Sequence, residues 1–200
     1  MVEIVSAIAV EKAKAAALSA AKEALAESLK EAAEATVKES PVLSMMDTIE
    51  NSSLETLKAQ NIETINNSFE GTLHSETGVP FERKVVEDIY GNKVNGVYPD
   101  FKEHRVFEVK LPDDRLQAFD KIQFDCCNEK LKESYDKGTI NTENFTERQL
   151  QQIKNGDKPE GFTWHHNEVK GRMELVKSDI HEATGHTGGK SIWGGGKEAR

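Results

Sequence analysis

Two stretches near the end of the chain decide the fold, and they read FTWHH at residues 162–166 and GRMELV at residues 171–176. Both have the length and composition of strands, and their order predicts an antiparallel pair. Residues 177–179 then offer an N-cap, and a short helix containing Ile180 to Thr184 is expected to end at Gly185. This order of strand, strand and helix is the frame of a ββα metal site, in which histidines from the first strand and the helix converge on one divalent ion.

Histidines are concentrated in this same segment. Four of the six histidines fall within a short stretch of the chain, namely His165, His166, His181 and His186. A neutral imidazole binds a transition metal, and an imidazole with a pKa near neutrality can take a proton from water. Adjacent side chains on a strand point to opposite faces, so His165 and His166 should not both reach one ion. One is expected to bind the metal and the other to act as general base in phosphodiester hydrolysis.

The pattern resembles the WHH family of the HNH/endonuclease VII superfamily of nucleases. The residues that carry the resemblance are Trp164-His165-His166, Met173-Glu174-Leu175-Val176, His181 and Gly185-His186-Thr187-Gly188-Gly189. The motif covers about residues 161–196, and the part from 78 to 111 resembles what such domains carry upstream.

The resemblance implies roles for the four histidines. His165, His181 and His186 are expected to be metal ligands, and His166 is expected to be the general base. It further implies a toxin domain at the C-terminus of a polymorphic bacterial toxin, secreted or delivered into the cytoplasm of a target bacterium. DNA would be the substrate, Mg²⁺, Zn²⁺ or Ni²⁺ the cofactor, and a cognate immunity protein the partner in the producing cell.

Two features depart from the HNH pattern. The asparagine of that pattern has no evident counterpart on the second strand, where Glu174 is the nearest polar residue, so the group that orients the base is unassigned. His181 and His186 are five positions apart, which places them about 140° from one another on an ideal helix. His186 is therefore expected to reach the ion only if Gly185 adopts the left-handed conformation at the end of the helix.

Several further residues are candidates for contacts around the site. Arg172 and Lys190 are candidates to position phosphate. Trp164 is expected to pack beneath the site rather than to stack on a base. The glycines at 188–189 and 194–196 most simply form a flexible tail, and the alternative is a loop that approaches phosphate and is flanked by three basic residues, Lys190, Lys197 and Arg200.

Charge and hydropathy limit the class of protein. The formal charge of −9 argues against a protein that coats nucleic acid, but residues 161–200 carry +1 and the residues before them −10. No apolar run approaches the roughly 20 residues of a membrane span, so a soluble protein without membrane contact is expected. The first residues lack the pattern of a secretory signal, so export would use another route or another part of a longer protein. The adjacent Cys126 and Cys127 are expected to be buried thiols.

The rest of the chain is expected to divide near Phe69. Residues 1–68 are expected to form an Ala-rich helical linker or docking segment, with helices over 4–39 and 46–60. The following part is expected to contain strands at 82–89, 93–98 and 105–111, a helix within 113–135 and a capped helix from Thr146 to about Ile153. Within the helix at 113–135, the predicted core residues are Leu116, Phe119, Ile122, Phe124 and Leu131.

These observations predict an α+β protein whose nuclease domain spans residues 69–200, with a ββα-metal core at about 161–189. The expected function is single-metal hydrolysis of DNA. One alternative is a metal-free RNA nuclease, whose activity would survive chelation. The other is a zinc-stabilised interaction module with no turnover, and the absence of cysteine from the histidine cluster argues against it.

Overall fold

The computed structural model describes residues 59–200, so the helices predicted at 4–39 and 46–60 lie outside the described residues, apart from the last two positions of the second. The described part contains two small sheets and four helices, as expected for an α+β protein. The strands are β1 (Gln60–Asn61), β2 (Phe81–Glu87), β3 (Lys93–Pro99), β4 (Arg105–Lys110), β5 (Phe162–His166) and β6 (Arg172–Lys177). The helices are α1 (Asp120–Asp136), α2 (Glu147–Asn155), α3 (Ser178–Ala183) and α4 (Gly189–Ile192).

The first sheet has the order β1-β3-β2. The β2 and β3 strands form the predicted hairpin, in which Phe81 pairs with Pro99 and Glu87 with Lys93. Gly91 has a φ of 86°, which is the left-handed conformation expected at this turn. The carboxylate of Asp88 accepts hydrogen bonds from two backbone N–H groups of the turn, at 2.8 Å each. Val86, Val94 and Tyr98 form the small core of this sheet.

The second sheet carries the histidine strand and has the order β4-β6-β5. The β5 and β6 strands are antiparallel as predicted, and His165 lies opposite Glu174. Residues 173–176 of the central strand β6 are all buried. Met173 and Leu175 belong to the main core, and Val176 packs with Val79 and Phe101. Helices α1 and α2 pack against one face of this sheet, and the core between them includes Leu131, Ile153, Phe162, Trp164, Met173 and Leu175.

Helix α1 starts later than the sequence predicts. Asp113–Arg115 is a separate 3-10 turn, and the extended backbone of Phe119 comes before the first helical residue. Phe119 and Ile122 were predicted in the core, but they are 57% and 40% exposed. The face of α1 that meets the sheet instead carries Gln123, Cys127 and Leu131, which are spaced four residues apart.

Helix α2 begins and ends as its sequence predicts. Thr146 accepts a hydrogen bond from the backbone N–H of Gln149, and the Gln149 side chain accepts one from the backbone N–H of Thr146. This is the reciprocal capping box expected from the sequence. Gly156 ends the helix in the left-handed conformation, with a φ of 85°.

The glycine-rich segment after residue 187 is folded, so its interpretation as a flexible tail is wrong. Trp193 is 1% exposed, and its indole N–H donates to the carbonyl oxygen of Asn167 at 2.9 Å. A Cβ atom at Gly189 would overlap that same carbonyl oxygen and the Trp193 ring, so only glycine permits this close packing. The segment therefore forms one wall beside β5.

The compact unit that carries the histidines begins before the predicted boundary at Phe69. Gln60 and Asn61 pair with β3, and Asn66 is 1% exposed. A division at residue 69 would separate these residues from the sheet and the turn that they contact.

No helix in the described range 59–200 has both the length and the apolar character needed to cross a membrane.

Candidate metal centre

Three imidazole rings from different elements meet at one point. His165 lies on β5, His181 on α3, and His186 in the turn after α3. Nδ1 of His165 is 3.2 Å from Nε2 of His181 and 3.2 Å from Nε2 of His186. The three nitrogen atoms all lie within 4.8 Å of one another. The structure thus brings together the three histidines that the resemblance implies as ligands.

The spacing and protonation of these nitrogens fit a bound metal ion. Zinc–nitrogen bonds of about 2.0–2.1 Å place tetrahedral ligand atoms about 3.3 Å apart. Nδ1 of His186 is 2.6 Å from the carbonyl oxygen of Thr184, which can only accept, so Nδ1 carries the hydrogen. Nε2 of His186 therefore presents a lone pair to the other two rings when the imidazole is neutral. This is the state that a ligand requires.

The environment keeps the three imidazoles neutral. Burial, with a smaller contribution from the neighbouring His186, lowers the pKa of His181 to about 4. Burial also lowers the pKa of His165 well below its usual value and lowers that of His186. The ring of Phe101 lies 4.8 Å from His165, 5.6 Å from His181 and 5.4 Å from His186 between centroids. Phe101 therefore gives the cluster an apolar floor that restricts the three rings.

His186 reaches the cluster by a different route from the predicted one. Gly185 is not in the left-handed conformation, so that expectation is wrong. The chain turns at Thr184 instead, which has φ −89° and ψ 78°. The buried Thr184 hydroxyl donates to the carbonyl oxygen of Ile180 at 2.8 Å, and this contact anchors the turn to α3.

Asn66 holds the same turn from the other side. Its side-chain N–H donates to the carbonyl oxygen of Gly185 at 2.9 Å, and its oxygen accepts from the backbone N–H of Thr187 at 3.1 Å. Both neighbours of His186 in the chain, Gly185 and Thr187, are therefore held by hydrogen bonds to Asn66. The sequence does not predict this role, because Asn66 lies 119 positions before Gly185 and reads as a loop residue.

His166 points away from the cluster, as the alternation of a strand requires. Its Nε2 is 2.7 Å from Oε1 of Gln123 on α1. Burial and the nearby ammonium of Lys190 lower the pKa of His166 to about 4, although the carboxylate of Asp120 opposes the shift. His166 nevertheless lines the same cavity as the other three histidines. Trp164, on the same face of β5, is 3% exposed and donates to Asn128 at 2.8 Å, so it packs beneath the site as expected.

An open cavity of about 650 Å³ lies over the histidines. Its basic lining residues are Lys190, Lys197 and Arg200. The ammonium of Lys190 is 2.6 Å from the carboxylate of Asp120 and 3.0 Å from the carbonyl oxygen of Ala199. Lys197 and Arg200 are exposed, and neither forms an ion pair within residues 59–200. The cavity therefore offers two free cations beside the histidines.

Arg172 does not line this cavity. Its guanidinium lies 2.6 Å from Glu108 and 3.3 Å from Glu174, and Arg105 contacts the same two carboxylates. Glu174 is 2% exposed, and burial raises its pKa while the ion pair with Arg105 opposes that shift. Arg172 is thus part of an ion-pair network on β4 and β6 rather than of the histidine site.

Comparison with known proteins gives a similarity to one family of nucleases. A family model described as the DNase/tRNase domain of colicin-like bacteriocins matches residues 90–188. The matched range includes all four clustered histidines and Gln123. No curated protein and no solved structure matches the chain. Residues 90–188 of this chain are thus similar to the nuclease domain of colicin-like bacteriocins, and the three converging imidazoles are consistent with a nuclease of that kind.

Proposed function

We propose that this domain hydrolyses DNA phosphodiester bonds, with one divalent ion held by His165, His181 and His186 and with His166 as general base. The observation that supports this most strongly is the convergence of three imidazole nitrogens beside an open cavity. Three protein ligands and an open position are typical of catalytic metal sites, whereas structural zinc sites have four protein ligands. Within residues 59–200 no fourth histidine, cysteine or carboxylate joins the group.

The chemistry divides between the ion and the protein. When bound, a divalent ion at this site supplies a positive charge that holds the scissile phosphate and stabilises the charge that develops on it. In this proposal His166 takes the proton from the attacking water. Since its Nε2 faces Gln123, the nitrogen available for that proton is Nδ1.

The ligand set favours a transition metal. Imidazole nitrogen is a good ligand for Zn²⁺ and Ni²⁺, whereas Mg²⁺ prefers carboxylate, carbonyl and water oxygens. The three ligands proposed here are all imidazoles, so we propose Zn²⁺ or Ni²⁺ rather than Mg²⁺ as the tightly bound ion.

DNA is the proposed substrate because attack by an activated water does not use the 2′-hydroxyl of ribose. Metal-free RNA cleavage by histidine pairs needs that hydroxyl and no ion. In this domain three of the four clustered histidines converge on one point, which suits a shared ion better than two rings that act separately on RNA.

The first prediction concerns metal dependence. Purified protein is expected to nick supercoiled plasmid DNA, to lose this activity in excess chelator, and to regain it when Zn²⁺ or Ni²⁺ is restored. The measurement is gel analysis of plasmid and of RNA, each with and without chelator. DNA cleavage that continues undiminished in chelator would contradict the metal mechanism. If the protein cleaves RNA and leaves plasmid DNA intact, the substrate is RNA and not DNA.

The second prediction concerns the two free cations of the cavity. Changing both Lys197 and Arg200 to alanine is expected to raise KM for DNA with little change in kcat, because these residues contact phosphate and not the reacting atoms. The slope of log KM against log salt should fall by about 2, since each phosphate contact contributes about 0.9 for duplex DNA.

A matched control for that experiment is Lys137→Ala. Lys137 follows the far end of α1, and its side chain is 68% exposed and paired with Glu133. This variant should keep the wild-type KM and salt slope. An equal rise in KM and an equal fall in salt slope in the control and the double variant would contradict a phosphate contact by Lys197 and Arg200.

The similarity to colicin-like bacteriocins also supports a biological role. We propose that the chain acts as a toxin in the cytoplasm of a target bacterium, and that the producing cell contains an immunity protein. An immunity protein with an acidic surface would complement the free cations at the cavity.

A further inference from the structure

One buried amide on α1 contacts the proposed general base. Gln123 is 0% exposed, and its Oε1 lies 2.7 Å from Nε2 of His166. Its Nε2 donates to the carbonyl oxygen of Leu116 at 2.7 Å and to that of Arg115 at 3.0 Å. Carbonyl oxygens accept and cannot donate, so the amino group of the amide must face them. The amide oxygen must therefore face His166.

This arrangement determines which nitrogen of His166 carries the hydrogen. An amide oxygen has no hydrogen, so Nε2 of His166 is the donor in this contact. A neutral imidazole has one protonated nitrogen, so Nδ1 keeps its lone pair. The rings of Phe124 and Trp193 pack against the imidazole, with centroids 5.7 Å and 5.5 Å away, and restrict its tilt.

The nearby charged groups do not replace Gln123 in this role. Asp120 lies 3.8 Å from Nε2 of His166, which is beyond hydrogen-bond distance. The same carboxylate oxygen is 2.6 Å from the ammonium of Lys190, which draws it away from the ring. Lys190 is 3.5 Å from Oε1 of Gln123, at the limit of a hydrogen bond. Among the side chains of residues 59–200, Gln123 is thus the one within normal hydrogen-bond distance of His166 Nε2.

We propose that Gln123 is the positioning residue of His166 and fixes both its tautomer and its ring orientation for proton transfer through Nδ1. The proposal rests on the proposed role of His166 as general base. It assigns to α1 the orienting function that the HNH pattern gives to an asparagine on the second strand. In this chain β6 carries Glu174 instead, which is engaged by Arg105.

The test is the variant Gln123→Met, which keeps the length of the side chain and removes its hydrogen bonds. We expect kcat for DNA to fall roughly 10- to 100-fold, as is usual when a group that orients a ligand or base is lost. KM and the affinity for Zn²⁺ should not change, because Gln123 contacts neither Lys197 and Arg200 nor the three-histidine cluster.

The matched control is Asn128→Leu. Asn128 also lies on α1 and accepts a hydrogen bond from β5, at 2.8 Å from Nε1 of Trp164, but it does not contact His166. This variant loses a similar contact between the same two elements, so it should lose stability and keep kcat. An equal fall of kcat in both variants would mean that Gln123 acts only on the packing of α1, and would overturn the proposal.

Nitrogen NMR of the full chain loaded with Zn²⁺ gives a readout that does not depend on activity. In the wild-type protein, His166 should be protonated at Nε2 and unprotonated at Nδ1. In Gln123→Met the ring should populate both tautomers. A wild-type ring protonated at Nδ1 would overturn the proposal even if the variant does not fold.

The outcomes separate this inference from the proposed function. Loss of cleavage in His166→Ala together with unchanged kcat and tautomer in Gln123→Met would overturn the role of Gln123 alone. Full cleavage by His166→Ala would overturn the proposed function, and the role of Gln123 with it.

Discussion

Replacing His165 by alanine is expected to abolish tight metal binding and DNA cleavage together. Nδ1 of His165 lies 3.2 Å from Nε2 of His181 and 3.2 Å from Nε2 of His186. Removing the His165 ring therefore leaves only two of the three proposed ligands. An ion contributes several kcal/mol of charge stabilisation in such reactions, and each 1.36 kcal/mol is tenfold in rate. Cleavage should therefore fall by roughly 10³-fold or more.

The measurements are calorimetric titration with Zn²⁺ and plasmid cleavage by the same protein samples. His104→Ala is the control, because His104 does not line the cavity and belongs to no metal cluster of the described residues. It should bind and cleave like the wild-type protein. If His165→Ala keeps both metal and activity, the three-histidine centre does not drive the reaction.

Replacing His166 by alanine should separate catalysis from metal binding. His166 contacts Gln123 on α1, on the opposite side of β5 from the cluster, so the ion should remain bound. Cleavage should fall by roughly 10² to 10⁴, which is the usual contribution of a positioned general base. The same calorimetric and cleavage measurements apply. If His166→Ala loses the metal and His165→Ala keeps it, His166 is the metal ligand and His165 is the general base.

Local patterns explain why the frame of the site could be predicted from sequence. The strands β5 and β6, the helix α3 and the histidines on them lie within one short stretch, where residue types and spacing determine which elements form. The opposite facing of His165 and His166 also follows from local geometry, because successive side chains alternate on any strand.

Long-range contacts explain what the sequence could not predict. Gln123 meets His166 across 43 positions, and Asn66 meets Gly185 across 119. Neither contact has a local signal, since a glutamine on a helix and an asparagine in a loop usually face solvent. Only the packing of α1 on the sheet, and of the loop after β1 on the α3 turn, brings these amides to the site.

Arg172 shows a related limit of pattern reasoning. Its place on β6, near the histidines in sequence, made it a candidate for phosphate contact. Strand alternation assigns a side chain to a face of the sheet but does not identify its neighbours there. In the folded sheet the carboxylates of Glu108 and Glu174 lie beside Arg172 and engage its guanidinium. The basic residues that line the cavity are Lys190, Lys197 and Arg200 instead.

The most direct test of the metal centre is calorimetric titration of Zn²⁺ into the full chain and into a variant in which all three cluster histidines are alanine. We predict one tightly bound ion per chain in the wild-type protein and none at this affinity in the triple variant. Equal binding by the two proteins, or no binding by either, would contradict the assignment of His165, His181 and His186 as the ligands of a catalytic ion.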